Sequence, residues 1–110
     1  MAKAMMWVWS TVASPEREAE FNEWYDTVHA RDVLDHVEGI VSCTRYKVSA
    51  VQFGEQELPG THVARYEIDT DDLSQVPARF GQAFVDGKLP MSDVIQPGPI
   101  VLFEEISQLS

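Results

Sequence analysis

Cysteine occurs once in the 110 residues, at Cys43. One thiol closes no intrachain disulfide and builds no cysteine-rich zinc site, so a reducing compartment, the cytoplasm, is expected. Basic residues are also scarce: 8 Lys+Arg stand against 18 Asp+Glu, a formal net charge of -10. That sign repels phosphate backbones and anionic lipid surfaces, which argues against nucleic acid or membrane as a partner. Long apolar runs are missing too. Ala4 to Trp9 gives way to Ser10 and Thr11, far short of the ~20 residues of a membrane span and too short for a signal-peptide core. Neither a phosphate-cradling glycine loop nor a Ser-His-Asp signature occurs. What remains is ordinary for a globular chain, with 45% hydrophobic and 24% charged residues, which excludes disorder and coiled coil. A single domain over residues 1–110 is expected, able to bury a core but short of material to enclose a guest alone.

Periodicity orders the elements. Met5, Trp7, Trp9 and Thr11 alternate with Met6, Val8 and Ser10, both sets largely apolar, as in a strand covered on two faces. Ser14-Pro15-Glu16 supplies an N-cap, a proline at the first helical position and an acid at the positive helix end. The helix that follows carries a core stripe of Phe21, Trp24, Tyr25 and Val28, and beside it a polar stripe of Glu18, Asn22, Tyr25 and His29. His29 is thus expected at the border of the core. Arg31 to His36 either continues this helix or forms a short second piece, ended by Gly39. Alternation predicts strands over 40–47 and 62–68, joined by the polar turn of Gly54 to Gly60. A second amphipathic helix begins near Ser74, with Pro77 in its first turn and Gly87 as its stop. Lys88 to Pro99 is expected as a long loop before a last strand at Ile100 to Ile106. The order β-α-β-β-α-β predicts an α+β, ferredoxin-like fold, with two helices on one face of a four-stranded antiparallel sheet. The other sheet face stays apolar and aromatic, and a second copy of the chain is its economical cover.

The run from Phe21 to Leu34, with Trp24-Tyr25, His29 four residues after the tyrosine and Asp32-Val33-Leu34 beyond it, then Gly39 ahead of the second strand, resembles the dimeric α+β barrel superfamily and its EthD-like branch most. Arg31 and Glu38 stand where that pattern usually has proline. The resemblance is carried by Phe21 to Tyr46; elsewhere only the order of elements agrees. It implies a homodimer whose sheets close into a barrel, with a pocket between sheet and helices in each protomer. Relatives include cofactor-free quinone-forming monooxygenases, polyketide cyclases, dehydratases, muconolactone isomerases and haem-degrading enzymes, so fold does not settle function. The residue sets of the haem-degrading branch and of the histidine near the second helix in polyketide cyclases are not matched.

His29 is the foremost candidate, because imidazole gives and takes protons near neutral pH, and Asp32 three residues on is placed to fix its tautomer. Tyr25 and Tyr46 are candidate hydroxyls for a carbonyl or enolate oxygen, and Arg45 or Arg65 for developing negative charge. Arg45 and Tyr46 face opposite sides of their strand, so only one serves a given pocket. His62, Tyr66, Trp7 and Trp9, with Trp24 from the helix, are expected to line an aromatic substrate cleft. The spacing of His29, Asp32 and His36 mimics a metal set but reads as a solvated helix end, and Cys43 reads as a small apolar residue. Together these residues predict acid-base chemistry without metal or other cofactor on a small hydrophobic, aromatic or polyketide-like substrate, of cyclase, dehydratase or isomerase type. The alternatives are a cofactor-independent monooxygenase of phenols and quinols, or a non-catalytic binding or assembly module.

Overall fold

The computed structural model describes residues 2–110. Its elements are β1 (Ala2–Val12), a 3-10 turn (Pro15–Arg17), α1 (Glu18–Trp24), a π turn (Tyr25–His29), α2 (Ala30–His36), β2 (Ile40–Lys47), β3 (His62–Thr70), α3 (Gln75–Val85) and β4 (Ile95–Glu104). The four strands form one antiparallel sheet in the order β2-β3-β1-β4. This is the expected ferredoxin-like plan, and 15–36 is one continuous helical segment that changes pitch midway. None of its helices is long and apolar enough to cross a membrane among the described residues.

Strand parity divides the sheet into two faces. Met6, Ser10, His62, Ala64, Tyr66 and Ile68 are buried beneath the helices, while Trp7, Trp9, Val63 and Arg65 between them are only half-buried on the opposite face. Fully buried Phe21, Tyr25 and Val33 from the first helical segment and Val76 from α3 complete the core. Gly39 and Gly87 stop the helical segments with φ of +100° and +72°, backbone that favours residues without Cβ. Pro77 sits at the third position of α3, where its missing N–H costs nothing. Ser14 takes the extended N-cap conformation, but its side chain makes no capping bond.

Two expectations are corrected. The last strand begins at Ile95 and ends at Glu104, so Pro97, Gly98 and Pro99 lie within it rather than in a loop. β4 pairs only with β1 and has a free edge, where prolines are tolerated, and its register shifts beside Ser10. Gly98 packs so tightly on β1 that a Cβ there would meet the Trp9 carbonyl oxygen at 2.9 Å. The second correction is Val28, expected in the core and found 38% exposed; the π turn explains it.

Candidate functional site

Phe21, Tyr25, His29 and Val33 recur at strict four-residue spacing, and all are buried, His29 to 3% exposure. An α-helix overshoots a full turn by about 40° every four residues, so three such steps would carry the stripe about 120° around the axis. The π turn at Tyr25–His29 is wider and removes part of that drift. Its consequence is specific: the inward position after Tyr25 falls to His29 and Ala30, and Val28 is turned outward.

The imidazole so placed is walled by aromatic rings. Trp24 stacks on it with centroids 4.9 Å apart and planes at 16°, and Tyr25 meets it edge-on at 5.0 Å. Its Nδ1 is buried without a hydrogen-bond partner. Burial holds the pKa down to about 4 from 6.5, against the opposing charge of Asp32. Asp32 therefore acts through its field; no hydrogen bond joins it to Nδ1.

The Tyr25 hydroxyl points into the same interior, where Tyr66 and Cys43 face it from the sheet. Cys43 and Tyr66 are direct cross-strand partners. The two phenol oxygens face one another closely enough to influence each other's ionisation, and Tyr66 faces Cys43 as well, without full hydrogen-bond geometry. Desolvation pushes Tyr25 up to about 12, and raises Tyr66 and the Cys43 thiol as well. Every titratable group in this cluster is thus neutral at pH 7.

Arg45 enters from β2 on the same face. Its Nη1 donates to Asp26 Oδ1 at 2.9 Å and its Nη2 to Asn22 Oδ1 at 2.8 Å. The guanidinium lies over the rings of Tyr25 and Phe21, 4.6 and 5.2 Å from their centroids. Its charge is committed to the helix, so it is not the free carrier of developing charge that the sequence suggested. Asn22 and Asp26, which claim it, were not among the sequence candidates, although Asn22 stood on the polar stripe and Asp26 follows it at four-residue spacing.

His62 forms a neighbouring group at the sheet's end. It lies against Phe21, its Nδ1 2.8 Å from Thr61 Oγ1 and its Nε2 3.2 Å from Glu18 Oε2. Burial lowers its pKa, and Glu18 opposes the shift. Glu18 also pairs with Lys47 at 3.1 Å, which holds its carboxyl below the usual range.

The remaining candidates lie elsewhere. Register pairs Trp7 with Arg65, and Trp9 and Tyr46 with Val63, on the face turned away from the helices. The expected convergence of Trp7 and Trp9 with His62 and Tyr66 is therefore overturned, because adjacent positions of one strand project to opposite sides. Tyr46 is likewise separated from His29. On that outer face Trp7 contacts Trp9 at 6.3 Å and Phe103 at 5.2 Å, and Arg65 covers Tyr46 at 5.9 Å. An open groove of about 780 Å³ runs there between Met5, Val41, Arg65, Glu67 and Phe103. His36 is exposed, and among the described residues no three His, Cys, Asp or Glu are arranged to hold a metal ion.

No known family model matches the chain, and no curated protein matches it in sequence. Two solved structures share its fold. HapK from Hahella chejuensis superposes with a TM-score of 0.61 at 13% identity, over 97% of this chain and 96% of that one. An ethyl tert-butyl ether D (EthD) family protein from Bacillus halodurans gives 0.53 at 18% identity, over 96% and 100%. The expected EthD-like architecture is thereby borne out as a fold.

Proposed function

We propose that this chain is a cofactor-free acid-base enzyme acting on a small, hydrophobic, aromatic or polyketide-like molecule bound between the sheet and the helices. The observation that carries the reading is His29 Nδ1, buried without a hydrogen-bond partner against the Tyr25 ring, whose hydroxyl and that of Tyr66 face each other without full hydrogen-bond geometry. Leaving a buried group such as Nδ1 unpaired costs about 1–3 kcal/mol, which supports an oxygen-bearing ligand that completes it and the two phenols. Neutral imidazole accepts a proton from carbon next to a carbonyl, and the un-ionised phenols donate to the enolate oxygen that develops. Returning the proton elsewhere on the substrate gives isomerisation; returning it to a departing hydroxyl gives dehydration, and closure of the enolate on a second carbonyl gives a ring. Tyr66 takes the role that Tyr46 held in the sequence reading, since it shares the face of His29. A homodimer is part of the proposal, with the outer sheet faces joined. Exposed Val41, Tyr46, Val101 and Phe103, and buried Arg65 Nε and Asp69 Oδ1 without partners, support that cover.

The test is anaerobic incubation of the chain with a panel of aryl β-diketones and poly-β-ketones, followed by mass spectrometry of the products. Cyclised, dehydrated or isomerised product is expected, falling about 100-fold or more in His29→Gln. No product from any member of the panel would overturn it in favour of the binding module, turnover indifferent to that substitution would overturn the role of His29, and product formed only in air, from hydroquinones and with oxygen uptake, would favour the monooxygenase.

A further inference from the structure

The helical segment carries two competing registers. Uninterrupted α-helix presents Phe21, Trp24, Tyr25 and Val28 on one face, whereas the π turn replaces Val28 by His29. A π turn widens the hydrogen-bond ring and weakens the regular pairing of the carbonyls around it, so side-chain donors beside it help to hold the wide register. Two side chains reach such carbonyls here, the Asn22 carbonyl also accepting the Tyr25 N–H. Thr27 Oγ1 donates to the Glu23 carbonyl at 2.7 Å. Arg45 Nη1 reaches the Asn22 carbonyl at 3.5 Å while the same guanidinium holds Asn22 Oδ1 and Asp26 Oδ1.

We infer that Arg45 is a positioning residue: from β2 it grips Asn22 and Asp26, one on each side of the start of the π turn, and holds the wide register that turns His29 inward. Its planar fork suits the task. It bonds two side chains and one carbonyl at once, and its face covers the Tyr25 ring, which in turn packs against His29. With side-chain exposure of 15%, Arg45 is nearly withdrawn from solvent, and Asp26, at 62%, anchors it from outside. The catalytic importance of His29 rests on the reading above, but the control of its register does not.

The test is a pH titration of the His29 imidazole by nitrogen-15 NMR in the full chain, in Arg45→Met, Arg45→Lys and Thr27→Val, with no substrate present. In the parent the midpoint lies near 4, set by burial against Asp32, with the neutral phenol of Tyr25 adjoining. In Arg45→Met it is expected to rise by one pH unit or more toward 6.5, with modification of His29 by diethylpyrocarbonate accelerated about tenfold. Lysine replaces the charge but not the fork, so it restores only part of the shift; Thr27→Val moves the midpoint the same way by less. Should Arg45→Met fail to fold, Asn22→Ala and Asp26→Ala remove the two side-chain acceptors singly and are expected to raise the midpoint. A His29 midpoint that stays near 4 in the folded Arg45 variant, or in both acceptor variants, would overturn the inference. That failure leaves turnover by the parent chain untouched, whereas an inactive parent with a shifted Arg45→Met midpoint would sink the proposed function alone.

Discussion

The Trp24 indole lies almost parallel to the His29 imidazole, with ring centroids 4.9 Å apart and 16° between planes. Such a stack makes the indole a reporter of the imidazole's charge. Trp7 and Trp9 lie on the other sheet face, so in Trp7→Phe/Trp9→Phe the emission comes from Trp24 alone. Protonated imidazole quenches indole, and emission is expected to fall as pH is lowered through about 4. Adding His29→Gln should leave emission flat across that range.

The same burial makes stability depend on pH. The unfolded chain takes up a proton on His29 near 6.5, while the folded chain refuses it until about 4. Between those values the unfolded state holds more protons, so stability is fully present above about 6.5 and declines as pH falls toward 4. At about 1.4 kcal/mol per pH unit, the loss attributable to His29 approaches 3 kcal/mol. His62, also lowered by burial, adds to the decline in the same direction. Urea denaturation at pH 7 and pH 4.5 should show a smaller difference in His29→Gln than in the parent.

Gly60 closes the long connection from β2 to β3 against β1, where Thr61 N donates to the Ser10 carbonyl at 2.9 Å. A Cβ at Gly60 would meet that carbonyl oxygen at 2.5 Å. Gly60→Ala is expected to destabilise the chain by about 1–3 kcal/mol, the usual penalty of overpacking. Gly81→Ala, with open space around it, is the control and should not destabilise. Thermal unfolding of the two variants checks the contrast.

A carboxylate on an aromatic sheet face is costly to bury beneath a second copy, even with Arg65 across the strand pair. Trp7 sits mid-face, in contact with Trp9 and Phe103. Trp7→Glu is therefore expected to convert the proposed dimer to monomer at micromolar concentration, by light scattering after size exclusion. Glu55→Lys, in the exposed loop, should leave the mass unchanged.

How much the sequence revealed follows from which physics is local. Alternation located β1, β2 and β3 within a few residues, and glycine and proline positions marked the helix ends at Gly39 and Gly87. Edge pairing hid the start of β4, since Pro97 and Pro99 are excluded from a central strand but not from a free edge. The site was half legible. His29, Tyr25 and Tyr66 stood out by type and spacing, but their convergence depends on strand parity and register, which separated them from Tyr46, Trp7 and Trp9. The π turn was written in the four-residue repeat of Phe21, Tyr25, His29 and Val33. Side-chain classes obscured it, because Val28 is more apolar than His29 and the ordinary helical period favours it.

The most direct measurement is the nitrogen-15 titration of His29 in the unmodified chain. A midpoint near 4, with the ring neutral at pH 7 and its two nitrogens distinct, is the expected result for an imidazole enclosed by Trp24 and Tyr25. A midpoint at 6.5 with the ring in fast exchange with solvent would contradict it, and the inward base on which the proposed chemistry depends would be gone.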